Sequence, residues 1–249
     1  MEELEHTLGI VVFFNRLLGR PVAAFLKIFG IHVADPANCI PDYLVMVFFV
    51  ALFLMLFFGL AARKRSIVPG KMQNLLEFII EFFEGQLTDI IGPEGKKFLP
   101  VVGTIGLFVF FSNLIGLIPG FMSPTSKLNV TIGCALSVFV YYHYQGMKAQ
   151  GPLRYLKHFM GPIPFMAPLM VPIEIISHFS RPVSLSIRLF SNIFAEEVLI
   201  VVIASIIPIL LPLPFMALSI FTAFLQAFVF VLLSCIYISG AVEHQEEHS

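Results

Sequence analysis

Between Val183 and Val202 the chain reads VSLSIRLFSNIFAEEVLIVV. The run is apolar enough for a lipid interior, yet it holds Arg188, Asn192, Glu196 and Glu197. An arginine at mid-bilayer is destabilising by about 2.5–3.5 kcal/mol on insertion scales and by about 10–17 kcal/mol in simulations of isolated helices. It cannot escape by losing its proton, because its pKa exceeds about 12. It needs a carboxylate or water, and intramembrane charges of this kind mark ion and proton paths. The chemistry these residues suit is therefore proton or ion transfer.

Helical geometry sorts the candidates. An α-helix turns about 100° and rises about 1.5 Å per residue. With Arg188 at zero, Arg181 lies at about 20°, Asn192 and Glu174 at about 40°, His178 and Glu196 at about 80°, and Ser184 at about −40°. Leu185 interrupts this polar stripe. Glu197 points about 180° from Arg188 and lies about 13 Å further along the axis. The helical neighbours within reach of Arg188 are Ser184, Leu185, Ser191 and Asn192, none of them acidic. Glu174 is about 21 Å away along a continuous helix, and the other apolar spans hold no Asp or Glu. The counter-ion is expected from another chain. The rival expectation, a permanent ion pair within the chain, lacks an acid in reach.

The last apolar segment carries Ser219, Thr222, Gln226 and Ser234. Ser219 and Gln226, seven residues apart, share a face. A short connection between the last two segments sets Gln226 opposite the Arg188 stripe. It can also serve as interhelical glue worth about 1 kcal/mol.

Composition dictates where these residues sit. The 249-residue chain is 58% hydrophobic and 12% charged, with a mean hydropathy of +0.92. That leaves too little polar surface for a soluble domain of this length. The class is an all-α polytopic membrane protein; a transmembrane barrel needs short alternating segments instead of continuous runs. A net charge of −1, with no basic patch among aromatics, gives no sign of nucleic-acid binding. Cys39, Cys134 and Cys235 are scattered, forming no metal or disulfide framework. His244 and His248, at i and i+4, read as an exposed tail and not as a metal pair. No metal and no cofactor is expected. An intramembrane hydrolase would need a nucleophile–base pair or an H-E-x-x-H helix, and neither is present. A stand-alone secondary transporter using the stripe is the alternative function, but the chain lacks convincing inverted repeats.

Membrane segments are expected at about 43–62, 98–118, 128–144, 173–207 and 215–239, with Pro208 to Pro214 as a tight joint. Residues 43–249 read as one membrane domain. Residues 1–42 read as an arm with an interfacial helix around VAAFLKIF, and no cleaved signal peptide is expected. Glu77, Glu81, Glu84 and Thr88 form one stripe of an amphipathic helix over 71–91, expected on the inner surface, with its acidic side a docking face for another subunit. Arg63, Lys64, Arg65, Lys71, Lys96, Lys97, Lys148, Arg154 and Lys157 fall in two connections on the same side, which makes that side cytoplasmic. The N-terminus is then outside and the C-terminus inside.

The segments RPVSLSIRLFSNIFAEE and FLQAFVFVLLSCIYIS, the tail EHQEEHS, SKLNVTIG before the third span and PIEIISHFSRP before the arginine closely resemble the F-type ATP synthase subunit a family. The resemblance runs from the first span to the C-terminus. It implies a stator subunit of the bacterial inner membrane beside a rotating c-subunit ring, with the b-subunit peripheral stalk and the rest of the synthase as partners. It also implies two offset aqueous half-channels and a long tilted hairpin formed by the last two helices. Arg188 stands at the family's essential arginine, facing the ring carboxylate. Asn192, Glu197 and Gln226 stand at positions of the outer channel, and Glu174 at one of the inner channel. His178, Ser219 and Asn129 are secondary candidates. The chain departs from the family where Ser219 replaces a histidine, where Glu196 replaces a glycine, and where Lys127 replaces an acid ahead of Asn129. The paired departures suggest that Glu196 takes over the relay lost at Ser219.

Overall fold

A computed structural model describes residues 14, 16, 40–63, 70–118, 121–153, 155, 167–206 and 210–242. The expected interfacial helix around VAAFLKIF and the tail with His244 and His248 lie outside the described residues. Within them every element is helical: α1 Asp42–Arg63, α2 Lys71–Ile91, α3 Leu99–Ile115, α4 Leu128–Gln150, α5 Ala167–Ile206 and α6 Pro212–Val242, with short 3-10 turns at Pro93–Phe98 and Pro124–Ser126.

Four helical stretches, Asp42–Ala61, Pro93–Ile115, Pro168–Ile206 and Pro212–Val242, are long and apolar enough to cross a membrane. The remaining expected span, α4, has the length at 23 residues. Tyr141 to Gln150 make its second half more polar. The chain is thus an all-α polytopic membrane protein, and α4 lies against α5 and α6 in its centre.

Local rules set the ends. α2 covers Lys71–Ile91, as its amphipathic pattern predicts, and stops at Gly92, whose φ of +95° suits glycine. α4 runs past the expected Tyr144 to Gln150 and ends on Gly151 at φ +80°. α6 starts at Pro212, earlier than the expected 215. Prolines 212 and 214 fall in its first turn, where amide hydrogens have no acceptor in the helix, so neither obstructs it. α5 starts at Ala167 and carries Pro172 and Pro182 inside a continuous helix. Its 40 residues span about 60 Å. A hydrocarbon core of about 30 Å contains such a helix only if it is steeply inclined or protrudes.

Two apolar clusters hold the bundle. Val109 of α3, Ala135 and Val138 of α4, Leu185, Leu189 and Ile193 of α5, and Ala227 and Phe230 of α6 form one. Phe83 and Leu87 of α2, Phe98, Val102, Tyr142, Val231, Cys235 and Ile238 form the other. At one end of the bundle Ser239 donates to the Ile90 carbonyl (3.2 Å) and Gln150 to the Ala241 carbonyl (3.1 Å). The C-terminal ends of α2, α4 and α6 therefore meet at the end that carries Lys96, Lys97 and Lys148.

Candidate functional site

The helix that carries the arginine sorts its side chains into rows four residues apart. Leu185, Leu189 and Ile193 are buried in the bundle. This explains why Leu185 interrupts the polar stripe: it begins the packing row. Glu197 is the next member of that row, and it too turns into the bundle. One carboxylate oxygen accepts a hydrogen bond from the backbone N–H of Ser123 at 3.0 Å.

Ser184, Arg188, Asn192 and Glu196 form the adjacent row. Arg188 is exposed on the outside of α5. No described residue of its own chain forms an ion pair with it. Asn192 Nδ2 donates to Gln226 Oε1 across the α5–α6 contact (2.9 Å), and Gln226 is only 4% exposed. The Glu196 carboxyl faces the hydroxyls of Ser219 and Thr222 on α6. The two family departures, 196 and 219, are thus neighbours across the hairpin.

The Glu197 end is lined by groups the sequence reading did not single out. Ser123 Oγ lies 2.9 Å from the Ser112 carbonyl and 2.7 Å from Thr125 Oγ1. Thr125 Oγ1 donates to Asn113 Oδ1 at 2.6 Å. All four residues are buried. Ser112 Oγ, Asn113 Nδ2 and Gln226 Nε2 have no protein partner among the described residues. Buried polar atoms of this kind are normally satisfied by water. The available signal was the polar pair Ser112–Asn113 inside an apolar span.

The other end of α5 holds a second cluster. His178, 8% exposed, is bridged: Nε2 lies 3.1 Å from Glu174 Oε1, and Nδ1 lies 3.0 Å from the Tyr142 hydroxyl. His143 Nδ1 contacts the Tyr155 hydroxyl at 2.7 Å. The His143 and His178 ring centroids are 5.1 Å apart. Arg181 stacks over Tyr237 of α6 at 5.3 Å. Burial pushes the Tyr155 phenol, which lies beyond the end of α4, above its ordinary range, so it stays protonated. The signal for this cluster was the run YYHY, residues 141–144.

Two polar clusters therefore flank Arg188 along α5. Glu174 lies about 21 Å to one side and Glu197 about 13 Å to the other. They are also offset laterally, one opening between α5 and α4, the other toward α3 and the turn at Pro124–Ser126. Asn129 joins neither. It lines an apolar cavity of about 930 Å³ with Tyr43, Leu54, Phe58 and Thr104.

Comparison with known proteins decides the family. The model of the family described as ATP synthase A chain matches residues 44–239. The chain belongs to that family. Campylobacter jejuni (strain 81-176) has an ATP synthase subunit a that is 48% identical over 209 residues, covering 83% of this chain and 92% of the relative. The subunit a of Sulfurihydrogenibium sp. (strain YO3AOP1) is 43% identical over 205 residues, covering 82% of this chain and 99% of the relative. That of Campylobacter fetus is 47% identical over 209 residues, covering 83% and 92%. Family membership and the apolar helices together make this chain a multi-pass membrane subunit a of F-type ATP synthase.

Proposed function

We propose that the chain is the stationary, proton-translocating subunit of an ATP synthase, with Arg188 meeting in turn the carboxylates of a c-subunit ring. The observation that carries this reading is the exposed Arg188, which has no counter-ion among the described residues. A guanidinium in a lipid-facing position without an acid of its own chain needs one supplied from outside. A carboxylate brought within about 4–6 Å of it has its pKa lowered by about 1–3 units, so it gives up its proton there. A membrane potential adds about 2.3 kcal/mol per charge per 100 mV. Together these bias which side of the arginine the ring acid is unloaded on, and a fixed cation at the boundary stops protons crossing directly.

The flanking clusters act as the two half-channels. Protons from the outside pass Glu197 and its hydroxyl neighbours, then Asn192 and Gln226, with Glu196 and Ser219 as an added relay. Glu174 opens to the inside. In this reading the subunit only passes protons, and ATP chemistry occurs elsewhere in the complex. It sits in the bacterial inner membrane beside the ring and the b-subunit stalk, its N-terminus outside and C-terminus in the cytoplasm. Arg188→Ala abolishes ATP-driven proton pumping in inverted vesicles; normal pumping by that variant overturns the role.

A further inference from the structure

We propose that His178, bridged between Glu174 and Tyr142 and ring-to-ring with His143, is a proton-holding station behind Glu174 on the inner side of the path. This rests on the proton-translocation reading above. Both ring nitrogens of His178 are occupied, at 3.1 Å by Glu174 Oε1 and at 3.0 Å by the Tyr142 hydroxyl. A phenol hydroxyl can donate or accept. With Nδ1–H donating to the Tyr142 oxygen, bare Nε2 accepts from the Glu174 carboxylic acid. Transfer breaks the Glu174 O–H bond and forms Nε2–H. The products, a carboxylate and an imidazolium, keep every heavy-atom contact, and no buried polar group loses its partner. The reverse step returns the proton to Glu174. The Glu174 side chain is 36% exposed against 11% for His178, so the acid exchanges with the channel and the imidazole stores.

The groups facing the imidazole limit its charge. Glu174 on α5 and Tyr142 and His143 on α4 face it directly; Tyr155, just beyond α4, bonds His143, and Arg181 on α5 lies over Tyr237 of α6, whose ring packs on Tyr142. Two imidazolium rings with centroids 5.1 Å apart repel, so the pair holds one proton at a time. Tyr155 gives His143 the same kind of two-way partner that Tyr142 gives His178.

The test is passive proton conduction through the assembled complex in vesicles, measured against the pH bathing the inner side. His178→Gln keeps an amide able to bond both Glu174 and Tyr142 but cannot hold a proton. Conduction by that variant falls by about tenfold or more and loses its dependence on pH between about 6 and 8. A wild-type rate and pH profile in His178→Gln overturns the proposal and leaves a merely structural histidine. Should that variant not assemble, Glu174→Gln, which leaves the imidazole no acid to exchange with, is expected to lose the same pH dependence, and a wild-type profile in it overturns the proposal instead. Arg188→Ala in the same vesicles tests the underlying reading separately: if it still pumps, that reading fails whatever His178 does.

Discussion

At position 188 an arginine and a lysine are not interchangeable. Guanidinium keeps its charge in a dry site and presents a planar fork to a carboxylate, whereas a desolvated ammonium can shed its proton. Arg188→Lys is therefore expected to lose ATP-driven pumping as Arg188→Ala does, measured by quenching of a pH-sensitive dye in inverted vesicles. Retained pumping would mean that charge alone suffices. Glu196 supplies a second test, since its carboxyl faces Ser219 and Thr222 across the hairpin. Glu196→Gly lowers passive proton conduction by about tenfold or more if the acid serves as a relay. Glu196→Gly combined with Ser219→His restores part of the rate. An unchanged rate in the single variant excludes the relay swap. The Arg188 row was legible because helical period alone places residues four apart on one side. Ser112, Asn113 and the Tyr142–His143 pair were not. Their surroundings come from segments distant in sequence, and no local period links Asn113 to Thr125 or His178 to Tyr142.

Helices set these side chains by close approach, and one glycine carries much of it. A β-carbon at Gly106 of α3 would lie 2.5 Å from Val231 Cγ2 of α6 and 3.1 Å from the Phe83 ring of α2. Three helices converge there, so the position has no room for a side chain. Gly106→Leu is expected to destabilise the bundle by about 1–3 kcal/mol through overpacking. It should lower the melting temperature of the purified complex, while Gly133→Ala, with open space at its β-carbon inside a helix, does not lower it. Equal melting temperatures for Gly106→Leu and the parent would deny that the α2–α3–α6 contact is tight. Element identity was readable because long apolar runs and the amphipathic stripe of α2 each have one geometric solution. Element ends were read less well. Tyr141 to Gln150 look like a loop by hydropathy, yet Tyr142 and Gly146 are buried against the rest of the fold, which keeps the chain helical to Gly151. Of the acidic stripe on α2, Glu84 pairs with Lys96 at 3.1 Å, so its surface is partly occupied within the chain.

For the whole molecule, orientation decides which cluster faces which compartment. The α2, α4 and α6 C-terminal ends are tied together by Ser239 to Ile90 and Gln150 to Ala241, so the lysine-bearing connections share one end. Lys127, next to the turn that holds Glu197, lies at the start of α4, a full 23-residue helix away from that end. Excess lysine and arginine stay on the cytoplasmic side during insertion. The proposal therefore requires Lys148 inside and Lys127 outside, and both are exposed. In a chain whose three native cysteines are replaced by serine or alanine, single cysteines at these positions can be probed with a membrane-impermeant maleimide. Lys148→Cys is expected to react only in inverted vesicles and Lys127→Cys only in right-side-out ones. The reverse pattern would exchange the compartments served by Glu174 and Glu197. The inner-side pH dependence argued for His178 would then have to be sought from the outer face, while Arg188, with no counter-ion among the described residues, would keep its place between the two clusters.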